Sequence, residues 1–251
     1  MKGTYVVILA LVVLLSMSLS SFAADETPKY IMGIDGDYPP FTFIDADGTP
    51  AGFDVDSIHW IAEEMGFEVE IVPFAWDGII PNLLAKNMDF IYSGMSITEE
   101  RAQMVNFTEP YWVINQAVAA REGEGKTLEG FLAGEYTVGT QRGCTAAMWV
   151  EDNLVQEGIV PRENFMLYDN FPIAATDLIA GRIETAIMDE PAVLMAIEGQ
   201  PLEMIGTIST GEGYGIAVRK EDTELLNMLN EGLERLKNSP YWEELKEKWD
   251  M

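Results

Sequence analysis

Short β-type runs alternate with helical patterns along this chain, and the alternation runs through twice. "KYIMGID" reads as a strand and "GFDVDSIHWIAEEMG" as a helix, with Val55, Ile58, Ile61, Ala62 and Met65 at spacings of three and four. "VEIVPF", "DGIIPNLLAKNM" and "DFIYSG" continue as strand, helix with an early proline, and strand. After "VNFTEPYWVINQAVAAREGEGKT" the pattern restarts with strand "YTVGT", helix "TAAMWVEDNLVQEG", strand "NFMLYD", helix "PIAATDLIAGRI", strand "TAIMD" and helix "PAVLMAIEG". "YGIAVRK" adds a strand, and the helices "DTELLNMLNEGLERLKN" and "PYWEELKEKW" finish the chain. Such βα alternation predicts open, mostly parallel sheets, and the restart predicts two of them.

Ligands of open parallel sheets bind beyond the carboxyl ends of the strands. Asp35 ends the first strand, Ser93 and Gly94 follow "DFIY", Gln141 follows "YTVGT", and Asp189 ends "TAIM". Two of these ends lead into helix N-termini, at Thr98 and at Cys144-Thr145, where free N–H groups favour anions. In "SGMSITEER", Thr98 reads as an N-cap with Glu99 and Glu100 in the first turn, which suits the helix dipole. Arg101 does not suit it. An anionic ligand taking the guanidinium together with N–H and hydroxyl donors would offset that placement; a structural ion pair with a nearby acid is the rival reading.

The chain carries 15 Lys plus Arg against 42 Asp plus Glu, a formal charge of −27. Such a surface repels nucleic acid and anionic lipid and attracts cations over distances limited by salt; solubility alone explains it equally well. One His and one Cys supply too few soft ligands for a zinc site. His59, inside a helical pattern, reads as a surface or packing residue. "DADGTP" lacks the later spacing of a calcium loop, and Asp47-Gly48 reads as a hairpin turn. With no Gly-rich phosphate loop, no G-x-S-x-G elbow and no repeat in the sequence, no metal or cofactor is expected. At the start, Lys2, an apolar run over residues 5–15 and Ser21-Phe22-Ala23 predict a signal peptide cleaved after Ala23. Cys144 is the sole cysteine, so neither a lipid anchor nor an internal disulfide is expected, and the mature protein is expected to be soluble outside the cytoplasm.

"GIDGDYPPFTFID", "GFDVDSIHWIAEEMG", "WDGIIPNLLAKNMDFIYSGMSITEERAQMVNFTEPYW", "VGTQRGCTA" and "ETAIMDEPA" together resemble the periplasmic substrate-binding proteins for polar amino acids, the receptors of ATP-driven importers. Ser57, where an aliphatic residue is common, is a mild departure. The resemblance covers nearly the whole mature chain and implies two Rossmann-like α/β lobes joined by a two-strand hinge. The signal peptide would be residues 1–23, lobe one residues 24–112 and 212–251, and lobe two residues 113–211. It implies that Arg101 holds a ligand α-carboxylate through two parallel bonds, helped by Ser96 and N–H groups near Cys144 and Thr145. Asp189 would take the α-ammonium, with Gly94 and Ser96 as further partners.

Tyr38 and Trp76 would sandwich the ligand side chain, and Asp35 and Gln141 would meet its far end. On the residues alone, Tyr38 could instead belong to a rigid turn, Trp76 could cover a core edge, and Asp189 could be only a helix cap. Cys144 stands where the family often has Ser or Thr, and Arg142 adds a cation nearby. The expected function is non-enzymatic capture of a free polar amino acid, with a cationic side chain favoured by Asp35, Asp37 and the two aromatic faces, and delivery to membrane permease subunits by a periplasmic monomer. The competing expectation is a dehydratase of the same fold acting on a prephenate-like acid, with Asp35 or Glu190 as its proton donor.

Overall fold

The computed structural model describes residues 27–251, and the expected signal peptide lies outside them. Strand β1 (Lys29–Ile34) runs into a small antiparallel sheet of β2 (Asp37–Tyr38), β3 (Thr42–Ile44) and β4 (Pro50–Ala51). Asp47-Gly48 falls in the loop between β3 and β4, with Gly48 in the left-handed region at φ 82°. Helix α1 (Phe53–Met65) then buries Val55, Ile58, Ile61 and Ala62 of the stripe read from the sequence, together with Phe53, while Met65 is only partly buried. Each buried Phe, Val or Ile side chain contributes about 1.5–3 kcal/mol. Gly66 closes the helix in the left-handed conformation at φ 75°, its N–H donating to the Ala62 carbonyl.

Strand β5 (Glu68–Pro73), a 3₁₀ turn over Trp76–Gly78, α2 (Ile79–Leu84), β6 (Phe90–Ile91), α3 (Glu99–Met104) and β7 (Val105–Phe107) complete the first run. The expected helix over residues 77–88 is therefore shorter and begins as 3₁₀. Lys86, at φ 63°, turns the chain back toward the sheet.

The second run comprises β8 (Trp112–Arg121), α4 (Leu128–Leu132), β9 (Val138–Gln141), α5 (Thr145–Val150) with a π-helical continuation over Glu151–Val155, β10 (Phe165–Tyr168), α6 (Phe171–Ile179), β11 (Thr185–Asp189), α7 (Glu190–Ile197) and β12 (Leu202–Tyr214). Strand β13 (Ala217–Arg219) and helices α8 (Thr223–Lys237) and α9 (Pro240–Lys248) follow.

These strands make two five-stranded sheets. The first has the order β5-β1-β6-β13-β7, and the second β10-β9-β11-β8-β12. In the first, β5, β1 and β6 run parallel while β13 is antiparallel to both its neighbours. In the second, β10, β9 and β11 run parallel while β8 is antiparallel to β11 and β12. The chain is thus a two-lobed α/β protein with mixed sheets, parallel on the side where βα units supply the strands.

Although β13 lies late in sequence, it sits inside the first sheet. Helices α8 and α9 likewise return to pack on α1, with Phe53 edge-on to Trp242 at 5.2 Å between centroids. Strands β8 and β12 pair from Leu202–Arg121 to Tyr214–Trp112, with register shifts between Met204 and Gly206 and between Ile208 and Glu212. Their ends are tied to the first lobe, the Ile97 N–H donating to the Gly213 carbonyl at 2.8 Å and the Tyr111 N–H to the Tyr214 carbonyl at 2.9 Å. The expected lobe boundaries at residues 112/113 and 211/212 fall within these two strands.

Candidate functional site

The carboxyl ends of the parallel strands from both sheets converge on one pocket. Asp35, Tyr38, Trp76, Gly94, Ser96 and Arg101 line it from the first lobe, and Gln141, Cys144, Thr145, Met188 and Asp189 from the second. Met188 is the one lining residue the sequence reading does not name. Ser93 is the one expected residue that stays behind the wall. It is fully buried, its Oγ accepts the Asp35 N–H at 2.9 Å, and it exchanges a bond with Thr42 Oγ1 at 2.6 Å. Strand β6 ends at Ile91, so Ser93 faces the inner side of the following turn and holds β1 in place instead of facing a ligand.

Arg101 is 4% exposed. Its Nη1 donates to the Ser96 carbonyl at 2.8 Å and its Nη2 to the Gly143 carbonyl at 3.0 Å. The guanidinium lies 5.4 Å from the centroid of the Trp76 ring, whose Nε1 donates to the same Gly143 carbonyl at 3.1 Å. Thr98 caps α3 as expected, accepting the Arg101 N–H at 3.1 Å. That helix, however, has only six residues, which puts Arg101 in its last turn as much as its first; opposition to the dipole is therefore not what makes this arginine unusual. Among the described residues, none of the ion pairs involves Arg101. Burial lowers its pKa, and a buried guanidinium without a carboxylate is a costly arrangement.

Asp189 opposes it from the second lobe. Its Oδ2 accepts from the Tyr38 hydroxyl and, at 2.6 Å, from the Tyr214 hydroxyl, while Oδ1 accepts from Gln116 Nε2 at 2.6 Å. The side chain makes no capping bond to α7, so the helix-cap reading does not describe it. Burial pushes its pKa up against these three donors.

Asp35 is also buried. Its Oδ2 accepts from Gln141 Nε2 at 2.7 Å across the lobes, and its Oδ1 from the Asp37 N–H at 3.0 Å; burial raises its pKa as well. Neither carboxylate belongs to an ion pair among the described residues. Ser96 Oγ lies 3.4 Å from Thr145 Oγ1, again across the lobes. Cys144 caps α5 with sulfur, accepting the Ala147 N–H at 3.4 Å, and burial drives its thiol pKa up to about 11. The thiol therefore supplies the cap acceptor that a hydroxyl oxygen supplies at other helix N-termini.

Tyr38 stacks one face on Phe41 at 5.4 Å, so both the turn and the pocket use its ring. Gly94 has φ 52°, and a Cβ there would come within 2.5 Å of Tyr38 Cε1, so only glycine lets the turn and the ring share this wall. Arg142 is exposed and faces the rim, 3.8 Å from Asp77. Glu190 lies in a separate outer groove with Pro40, Trp112 and Leu194.

Gln116 and Tyr214, both fully buried, are the polar anchors that sequence reasoning missed. Gln116 also donates to Thr145 Oγ1 at 3.3 Å and to Glu212 Oε1 at 3.1 Å. A glutamine inside the apolar run "VINQAVAA" was the available signal for it. The lobes meet closely enough to leave a cavity of about 10 Å³, room for about one water.

The sequence model of the bacterial extracellular solute-binding proteins, family 3, matches residues 30–251. The L-arginine-binding protein of Pseudomonas aeruginosa is 33% identical over 243 residues, covering 93% of this chain and 91% of that one. An ancestral arginine-binding protein solved with arginine superposes with a TM-score of 0.81 at 35% identity, over 88% of this chain and 97% of that one. An ancestral amino acid-binding protein, described as a precursor of cyclohexadienyl dehydratase, superposes with a TM-score of 0.78 at 31% identity, over 88% and 95%.

Proposed function

This chain belongs to the bacterial extracellular solute-binding proteins, family 3, and from that membership we propose that it captures a free L-amino acid with a cationic side chain between its lobes and hands it to the permease subunits of an ABC importer. It does so as a periplasmic monomer after cleavage at Ala23, and without catalysis.

The observation that carries the ligand class is the charge in the pocket. One buried guanidinium and two buried carboxylates converge there, and among the described residues none of the three belongs to an ion pair. Their complement is a molecule with one carboxylate and two cationic groups. An α-carboxylate on Arg101 and an α-ammonium on Asp189 account for the zwitterion, and a side-chain cation on Asp35 accounts for the remainder. Because the cavity is small, a ligand must part the lobes and take over the bonds that Arg101 makes to Ser96 and Gly143. Contacts to both lobes then favour the closed form.

Two experiments test this reading. Arginine, lysine and histidine should raise the melting temperature, a ligand at a hundredfold its dissociation constant adding about 2.7 kcal/mol. Asp35→Asn should lose arginine and lysine while keeping any glutamine binding, since the amide retains shape and an acceptor without the charge. A wild type that binds glutamine and ignores the cationic amino acids overturns the cationic assignment.

Similarity to the dehydratase precursor supports one competing reading. A dehydratase needs an acid that delivers a proton; here both Asp35 oxygens receive donors and Glu190 stands outside the pocket. Release of phenylpyruvate from prephenate by purified protein would decide for the enzyme.

A further inference from the structure

Asp54 is the second residue of α1 and is wholly buried, yet it does not reach the pocket. Its Oδ2 accepts the Gly94 N–H at 2.7 Å and the Tyr111 hydroxyl at 2.8 Å, and the same hydroxyl lies 3.2 Å from the Gly94 nitrogen. Among the described residues, Oδ1 has no hydrogen-bond partner and no cation pairs with the carboxyl. The titratable groups that feel its charge are the phenols of Tyr38, Tyr92 and Tyr111. Burial pushes the Asp54 carboxyl up to about 8. Apolar replacements are commonly better for stability at such a place, so stability alone does not account for an acid here. Neither does capping, since none of its bonds goes to a backbone N–H of its own helix.

What the carboxyl does hold together is specific. Gly94 is the left-handed turn that forms the pocket wall against Tyr38. Tyr111 immediately precedes β8, packs its ring on Tyr92 at 4.9 Å and lies 6.1 Å from Tyr214, whose hydroxyl donates to Asp189. One carboxyl oxygen therefore joins α1, the pocket turn and the root of the crossover strands.

Resting on the amino-acid-binding function proposed above, we infer that Asp54 is a positioning residue for the ligand site, fixing the Gly94 turn relative to the first crossover strand so that both lobes present their ligand groups in register. Asp54→Ala leaves the Gly94 N–H and the Tyr111 hydroxyl buried without an acceptor. That should weaken arginine binding by about tenfold or more, although the side chain touches no ligand. Asp54→Asn supplies an oxygen at the same place and should recover most of the affinity. Tyr111→Phe removes a single hydroxyl and should weaken binding by about threefold, with faster hydrogen exchange at the Gly94 amide.

Calorimetry with arginine and amide exchange on the wild type and these three variants test the assignment. A purely structural role would lower the melting temperature of Asp54→Ala and leave its dissociation constant unchanged; that result, in a wild type that binds arginine, overturns the assignment alone. Should Asp54→Ala fail to fold, Tyr111→Phe decides: wild-type affinity together with wild-type Gly94 protection overturns it. A wild type that binds no amino acid overturns the proposed function and this inference with it.

Discussion

At the scale of single residues, the site is a set of buried charges held by neutral partners, carbonyl acceptors for Arg101 and N–H or O–H donors for the carboxylates, and each has a measurable consequence. Arg101→Ala should cost about 2–5 kcal/mol of ligand binding, with Arg101→Lys recovering only part because an ammonium cannot form the planar fork. Calorimetry showing unchanged affinity would return Arg101 to a structural role. Asp54 makes a pH prediction. Its pKa rises from 3.8 unfolded to about 8 folded, so below the lower value both states are protonated and the group is silent. Between the two values the unfolded chain ionises first, and stability falls as pH rises; each tenfold step corresponds to about 1.4 kcal/mol. Urea unfolding at about pH 5 and about pH 8 should show a larger loss in the wild type than in Asp54→Asn. Equal losses would mean that Asp54 does not titrate in that window.

The same scale shows why some positions could be read from the sequence and others not. Asp35, Gln141 and Asp189 announce themselves because a polar residue ends an apolar run, a local signal that the parallel-sheet rule converts into a place. Ser93 obeys that rule in sequence and breaks it in space, because β6 stops two residues earlier and turns the hydroxyl inward. Gln116 and Tyr214 depend on how β8 and β12 align, a non-local register set by two irregularities that no spacing in either strand reveals.

At the scale of elements, the helices came through best where one apolar stripe meets one surface. Helix α1 and the C-terminal pair α8 and α9 follow their periodicity. The long strand β12 did not show itself as a whole, since "LEMIGTISTGEGY" alternates only weakly and carries three glycines. Small strands such as β2, β4 and β7 were also missed, being stabilised by their partners and not by their own composition. Close approach of α8 to α1 depends on Gly232, where a Cβ would meet Ile61 Cγ2 at 2.5 Å. Gly232→Ala should gain about 1 kcal/mol of helix propensity and lose about 1–3 kcal/mol to overpacking. A net drop in urea midpoint is therefore expected, and a rise would show that the two helices part freely.

At the scale of the whole molecule, the formal charge of −27 makes the protein repel itself and attract cations. Adding salt should therefore raise the melting temperature of the free protein while slowing association with arginine, two effects of opposite benefit from one cause. Stopped-flow fluorescence in low and high salt measures the second; a salt-independent rate would mean that the surface charge plays no part in encounter.

The position of β13 also gives this molecule a timetable. The strand lies between β6 and β7, so a polypeptide emerging from the ribosome presents residues 29–107 without the strand that joins them until residue 217 has been made. The Gly232 face that docks on Ile61 comes later still. Domains made early in a chain generally fold as they appear; here the first-made sheet lacks the strand between β6 and β7 until synthesis is almost complete, and its completion is expected only then. A version truncated after Gly211 should expose residues 29–107 to protease under conditions that leave the intact protein uncut, and resistance of that segment would show that it folds without waiting.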